Sequence, residues 1–195
     1  MAKLAAHVRF LREFLSRPRG IGAVAPSSTR LAKEITRGID WSRVQVAVEF
    51  GPGTGVFTEY ILSNLPPQAK FFVIERNPAL ADCFRRRYPQ VALHEDCAGN
   101  IRQICQRQGV DQVDCVISGL PWAIFSEALQ IRLLEALHSI LKPGGQFTTF
   151  AYLQGLLMPN GRRFRKKLDV YFTEISRSPL VWLNLPPAFV YRCKK

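Results

Sequence analysis

The segment Glu49-Phe50-Gly51-Pro52-Gly53-Thr54-Gly55 places glycines at every second position, directly after a short apolar run and before a stretch of helical pattern. Glycines there let the backbone turn tightly and approach a ligand that a Cβ would hold away. The helix start that follows offers unpaired N–H groups and a partial positive charge. Glu75 stands 20 residues after Gly55, at the end of the next apolar run. A carboxylate in that place can accept from both hydroxyls of a ribose. Asp96 follows a third run and is placed to accept from an adenine amino group, with the backbone N–H of Cys97 placed for a ring nitrogen. A tight turn alone explains one glycine loop, and a solvated chain end explains one acid. Three such features at the ends of three successive strands point together to an adenosine-bearing ligand.

The elements that must position these residues follow from the apolar pattern. Strands are expected at 44–49, 70–75, 91–94, 113–118 and 146–152, with helices at about 57–64, 79–88, 101–108 and 127–141. Buried strands alternating with helices predict an α/β fold, a parallel sheet with helices on both faces. After Tyr152 the alternation stops. A basic stretch at 161–168 (Arg162, Arg163, Arg165, Lys166, Lys167) precedes two further expected strands at 170–177 and 187–193, which read as an antiparallel hairpin.

Ahead of the alternating region, residues 3–16 read as an amphipathic helix. Leu4, Val8, Leu11 and Leu15 share one stripe flanked by His7 and Phe14, while Lys3, Arg9, Arg12 and Glu13 point elsewhere. Pro18, Gly20, Gly22 and Pro26 break it, and Ser27 or Ser28 can cap a second helix running to about Arg37. The expected organisation is a lid over 1–40 and a catalytic domain over 41–195.

Composition narrows the function classes. At 195 residues and 47% hydrophobic content the chain is globular, with room for one well-formed domain. No apolar run approaches the roughly 18 residues of a bilayer span, and the charged N-terminus does not read as a signal peptide. Five cysteines (Cys83, Cys97, Cys105, Cys115, Cys193) form no C-x-x-C pair and no metal-ligand spacing, so no metal is expected. The net charge of +12 is unevenly placed. Residues 1–43 hold nine Lys/Arg against three Asp/Glu, residues 44–161 nine against ten, and residues 162–195 nine against two. The basic ends suit an anionic partner, either phospholipid headgroups or nucleic-acid phosphate.

Taken together, residues 44–195 resemble the class I S-adenosylmethionine (SAM)-dependent methyltransferases. Glu49 through Gly55 is similar to their E/D-x-G-x-G-x-G loop, Glu75 to their ribose acid and Asp96 to their adenine contact. Leu141-Lys142-Pro143-Gly144-Gly145 resembles their L-x-P-G-G turn, and the terminal hairpin their sixth and seventh strands. The resemblance implies a Rossmann-like, seven-stranded sheet of order 3-2-1-4-5-7-6, SAM as cofactor and S-adenosylhomocysteine as product. A nicotinamide enzyme would instead carry G-x-G-x-x-G and lack the hairpin.

Within that class two families compete. Enzymes methylating rRNA adenine carry N-[LI]-P-[YF] after strand four. Here Ser118-Gly119-Leu120-Pro121-Trp122 puts Gly119 at the Asn position, and no C-terminal RNA-binding domain follows. Along nearly its whole length the chain is similar to bacterial phospholipid N-methyltransferases, including relatives acting on ornithine lipids. The similarity rests on Phe10-Leu11-Arg12-Glu13-Phe14-Leu15 with Pro18, Gly22-Ala23-Val24-Ala25-Pro26-Ser27, Ser118-Gly119-Leu120-Pro121 and Asn184-Leu185-Pro186-Pro187-Ala188. It implies methylation of a lipid headgroup amine such as that of phosphatidylethanolamine. It also implies a monomer in the cytoplasm, peripheral on the inner face of the membrane through Leu4, Val8, Arg9, Leu11, Arg12, Leu15 and the basic stretch. By the same resemblance Ser27 contacts the methionine carboxylate, Ser118 belongs to the cofactor set, and Trp122 covers the acceptor amine with its π face. Tyr152, Glu127 and His94 are the candidate proton acceptors. A non-catalytic nucleotide-binding regulator is the remaining reading.

Overall fold

The structure is a computed structural model and describes residues 28–195. The expected helix at 3–16, its membrane-facing residues and Ser27 lie outside the described residues.

Seven strands form one sheet of order β3-β2-β1-β4-β5-β7-β6: β1 (Val46–Phe50), β2 (Lys70–Glu75), β3 (Ala92–Glu95), β4 (Val113–Ser118), β5 (Leu141–Tyr152), β6 (Glu174–Arg177) and β7 (Ala188–Lys194). The first five run parallel, and β7 is antiparallel to both β5 and β6. This is the Rossmann-like order that the family resemblance implies. Glu49 sits beside Val73 and Ile117, so the first glycine leaves the sheet at its centre.

Alternation along the strands gives each sheet face its own core. On one side Ala47, Cys115, Ile117 and Val190 pack against α1 (Thr29–Thr36) and α2 (Val56–Asn64), and Val73 packs against α3 (Pro78–Arg87). On the other, Val48, Phe50, Val116 and Phe147 meet α4 (Ile101–Arg107), α5 (Glu127–Ile140) and α6 (Pro159–Tyr171).

Helix α1 is capped by Ser28, whose Oγ accepts from the Leu31 amide at 3.2 Å. Such a cap contributes about 1 kcal/mol. Leu31, Ala32 and Ile35 are fully buried in one cluster with strand residues, so this helix packs directly on the sheet. Arg192 of β7 holds its far end, donating to the carbonyls of Arg37 and Glu34 and pairing with the Glu34 carboxylate.

Two expectations are corrected. The basic stretch is not a break in the α/β rhythm but most of helix α6, begun by Pro159 and seated by Gly161, Phe164 and Leu168. The strand expected from 170 therefore starts at Glu174. Strand β5 starts at Leu141, earlier than 146, because the Leu141–Gly145 segment pairs with β4 across a register shift between Val113 and Cys115. No helix among the described residues is long and apolar enough to cross a membrane.

Candidate active site

The carboxyl ends of β1, β2 and β4 open into one cavity of about 600 Å³. Gly51, Pro52, Gly53 and Thr54 form one wall, Glu75, Arg76 and Asn77 the next, and Gly119, Leu120 and Pro121 a third. Ligands in open α/β sheets bind in this crevice, where the crossover direction reverses.

The glycine loop is shaped by close approach. Gly51, Gly53 and Gly55 all have positive φ, at 66°, 56° and 82°, a region that L side chains adopt only with strain. A Cβ on Gly55 would collide with the ring of Tyr88, whose hydroxyl donates to the Gly55 carbonyl at 2.9 Å. A Cβ on Gly53 would meet nothing within 4 Å, so this glycine faces open space on the ligand side. Gly51 donates to the Ile74 carbonyl and Gly119 to the Phe50 carbonyl, each at 2.8 Å, tying the three strand ends together.

Glu75 is 7% exposed and lines the cavity. Its Oε1 accepts from the Asn77 amide at 2.9 Å and its Oε2 from the Gly53 amide at 3.3 Å. Burial raises its pKa, and the amides of Asn77, Gly53 and Arg76 oppose that rise. Each carboxylate oxygen keeps a free lone pair, enough to accept a pair of ribose hydroxyls.

Glu49 is fully buried beneath the loop and does not line the cavity. Its Oε2 accepts from Thr58 Oγ1 of α2 at 2.6 Å, and its Oε1 has no hydrogen-bond partner among the described residues. Burial pushes its carboxyl up to about 8, against the Thr58 hydrogen bond, and the nearby Glu75 charge adds to the rise. Sequence reading missed Thr58 and Tyr88, because neither type nor spacing marks a residue that supports the loop from the neighbouring helix.

The adenine end is arranged differently from expectation. Cys97 and Ala98 line the cavity, but Asp96 does not. Its Oδ1 accepts from the Cys97 amide and from Asn100 Nδ2, both at 2.7 Å, and its Oδ2 pairs with Arg107 at 3.3 Å. The Asn100 and Cys97 hydrogen bonds lower its pKa. Here Asp96 shapes the turn after β3, and the Cys97 N–H expected to meet a base donates to it.

On the acceptor side, Trp122 and Ser118 pack against each other. Trp122 is 2% exposed, stacked on Phe164 with centroids 4.7 Å apart, and edge-on to Phe147. Its Nε1 donates to Ser118 Oγ at 3.1 Å. Neither residue lines the large cavity. The indole packs in an aromatic cluster with its N–H satisfied, and it lines a smaller apolar pocket together with Phe150, Tyr152 and Leu156. Tyr152 does line the cavity, with Phe57, Phe125 and Phe150. Burial raises its pKa, so its phenol is neutral at physiological pH.

The other candidate proton acceptors lie elsewhere. Glu127 is paired with Lys167 at 2.9 Å and Arg163 at 3.5 Å, and the Lys167 hydrogen bond lowers its pKa. His94 contacts Gln108 Nε2 at 3.0 Å, and burial lowers its pKa.

Gly119 has a physical reason to replace the Asn of adenine methylases. A Cβ there would fall 2.5 Å from the carbonyl oxygen of Gly51, a backbone atom fixed by the loop.

An adenosine cofactor fits the residues present: the open approach at Gly53, the buried unpaired Glu49 oxygen beneath the loop, and Glu75 at the cavity wall. A methyltransferase-domain family model matches residues 47–145. The ornithine lipid N-methyltransferase of Singulisphaera acidiphila is 33% identical over 188 residues, covering 95% of this chain and 94% of that protein. Among solved structures, an O-methyltransferase from Bacillus cereus in complex with SAH superposes with a TM-score of 0.71 at 13% identity, over 97% of this chain and 91% of that one. TomG, an O-methyltransferase of tomaymycin synthesis from Streptomyces achromogenes in complex with SAM, gives 0.67 at 17% identity, over 93% and 86%. At these identities the structures show the fold alone, whereas the family model and the full-length relative carry the assignment. The chain belongs to the class I SAM-dependent methyltransferases.

Proposed function

We propose that this enzyme methylates the amine of a membrane lipid headgroup, of the phosphatidylethanolamine or ornithine lipid type. The observation that carries the reading is the near-full-length similarity to an ornithine lipid N-methyltransferase. It is supported by Gly119, where the side chain an adenine acceptor would need has no room.

When bound, SAM supplies a methyl group made electrophilic by its sulfonium. The chain's own residues then act mainly by position, which can account for most of the acceleration of such a transfer. Glu75 accepts the ribose hydroxyls while its Gly53 bond fixes the loop. Glu49 braces the loop from below through Thr58, and Cys97, Ala98, Leu129 and Leu133 offer a slot for the base. Phe125 and Phe150 exclude water on the acceptor side. The neutral phenol of Tyr152 holds the incoming amine by a hydrogen bond. The amine must arrive unprotonated, having given its proton to water, because no described side chain at this wall is a free base. Ser27 is assigned the methionine carboxylate by family resemblance.

We place the enzyme as a monomer on the inner face of the membrane, held by the amphipathic stripe of residues 4–15. Helix α6 contributes less than its composition suggests. Arg163 and Lys167 are engaged by Glu127 and Arg165 by Asp169, leaving Arg162 and Lys166 without a carboxylate partner among the described residues.

The test is labelled SAM supplied with vesicles containing phosphatidylethanolamine or ornithine lipid, and separately with RNA. Label in the lipid fraction is expected. Label in RNA alone would replace this reading with the nucleic-acid one.

A further inference from the structure

The described residues include six exposed large apolar side chains: Leu153, Leu157, Val170, Trp182, Leu183 and Leu185. All but Val170 belong to two segments, the turn after β5 and the loop between β6 and β7. Leu157, Trp182, Leu183 and Leu185 are between 63% and 75% exposed. Scattered apolar residues need no explanation, but a cluster does.

The two segments are stitched together. The Leu153 amide donates to the Pro187 carbonyl at 2.9 Å, joining the two, and the Val181 amide donates to the Ala188 carbonyl at 2.7 Å, closing the second segment on itself. Register fixes where they sit. Tyr152 pairs with Ala188 and Arg177 with Tyr191, so both segments emerge at the carboxyl edge of the parallel strands, the edge that opens into the cofactor cavity. Arg162, which has no carboxylate partner among the described residues, donates through Nε to the Leu156 carbonyl at 3.0 Å beside exposed Leu157. The rim therefore combines an indole, several leucines and a cation, the chemistry of a surface that enters an anionic headgroup layer.

We propose that this rim, led by Trp182, Leu183 and Leu185, is a membrane-seating surface of the catalytic domain that turns the mouth of the cavity toward the bilayer. It rests on the lipid reading above, and it assigns the contact to residues apart from the N-terminal stripe. Its occupant is the interfacial layer of an anionic bilayer, because the flanking charge is basic and the patch borders the opening that must receive a headgroup.

Full-length protein is compared with the Trp182→Ser/Leu183→Ser/Leu185→Ser variant by sedimentation with vesicles of phosphatidylglycerol and phosphatidylethanolamine in equal parts. The variant is expected to bind about tenfold or more weakly. Its methylation of the same amine lipid dispersed in detergent micelles stays within about twofold, since no bilayer is needed there. A second measurement does not depend on a triple substitution. Tryptophan emission of the wild type is expected to be quenched by vesicles with brominated acyl chains, and Trp182→Phe is expected to remove most of that quenching. Equal vesicle binding by wild type and variant, or quenching unchanged in Trp182→Phe, overturns the proposal. So does loss of self-association in the variant with vesicle binding intact, which assigns the patch to a second copy. If the wild type methylates no lipid in micelles, the functional reading fails, while sedimentation and quenching still decide the docking surface.

Discussion

The amide of Gly53 donates to Oε2 of Glu75 across 3.3 Å, so the loop after β1 and the acid that ends β2 are one mechanical unit. The residue expected to grip the ribose also sets the shape of the turn that borders it. Removing the carboxylate therefore acts twice, on the ligand and on the loop.

Glu75→Ala is expected to weaken SAM binding by about tenfold to a hundredfold, the scale of losing a charge-assisted hydrogen bond or two. Isothermal calorimetry reads the affinity directly. Glu75→Gln, which preserves an acceptor, is expected to fall between wild type and Ala. Unchanged affinity in both would remove Glu75 from the cofactor site.

Glu49 predicts an unusual dependence of stability on pH. Its folded pKa is raised to about 8 from 4.5, chiefly by burial. The folded state then holds a proton that the unfolded chain has released, so stability falls as pH rises from the unfolded value through the folded one. Glu49→Gln is neutral throughout and is expected to flatten that slope. Melting temperatures of the ligand-free protein at pH 5 and pH 8 check it: the drop between them should be smaller in the variant.

Gly119→Asn tests the crowding between strands one and four. Even the Cβ would meet the Gly51 carbonyl, a neighbour that cannot rotate away. A destabilisation of about 1–3 kcal/mol is expected, as for overpacking in a fixed backbone, together with loss of SAM binding. Thermal melts and calorimetry decide it. A variant that folds normally and labels RNA would revive the adenine reading.

Trp122→Phe separates a packing residue from one that touches substrate. It retains much of the ring's contact with Phe164 but loses the hydrogen bond to Ser118. The expected cost is about 1 kcal/mol of stability, with little change in the turnover rate at saturating lipid. A large fall in kcat with an unchanged melting temperature would return the indole to the acceptor face.

The strand–helix alternation and the strand-end positions of Gly53 and Glu75 were legible because each depends on local type and spacing, whereas the sheet order came from the family resemblance. Helix α6 was not, since arginines and lysines dominate its sequence and only Gly161, Phe164 and Leu168 are buried. That stripe is too thin to register as a period. The early start of β5 was hidden by Pro143, Gly144 and Gly145, which read as a turn although the segment pairs with β4. The roles of Trp122, Thr58 and Tyr88 depend on neighbours many positions away along the chain, and pattern does not report those. The exposed rim at Trp182 was likewise invisible, because a sequence does not say which apolar residues are left uncovered.

The grip of Arg192 on the end of α1 joins positions 155 residues apart, and the Asn184 side chain accepts the Ser28 amide at a separation of 156. During vectorial synthesis on the ribosome, α1 emerges before any strand of the sheet, yet its clasp on β7 follows 155 residues later. Leu31 and Ile35 find early cover on Phe57 and Ile61 of α2, but the far end of α1 is held only once β7 has been made. Contacts that span so much sequence make assembly slow.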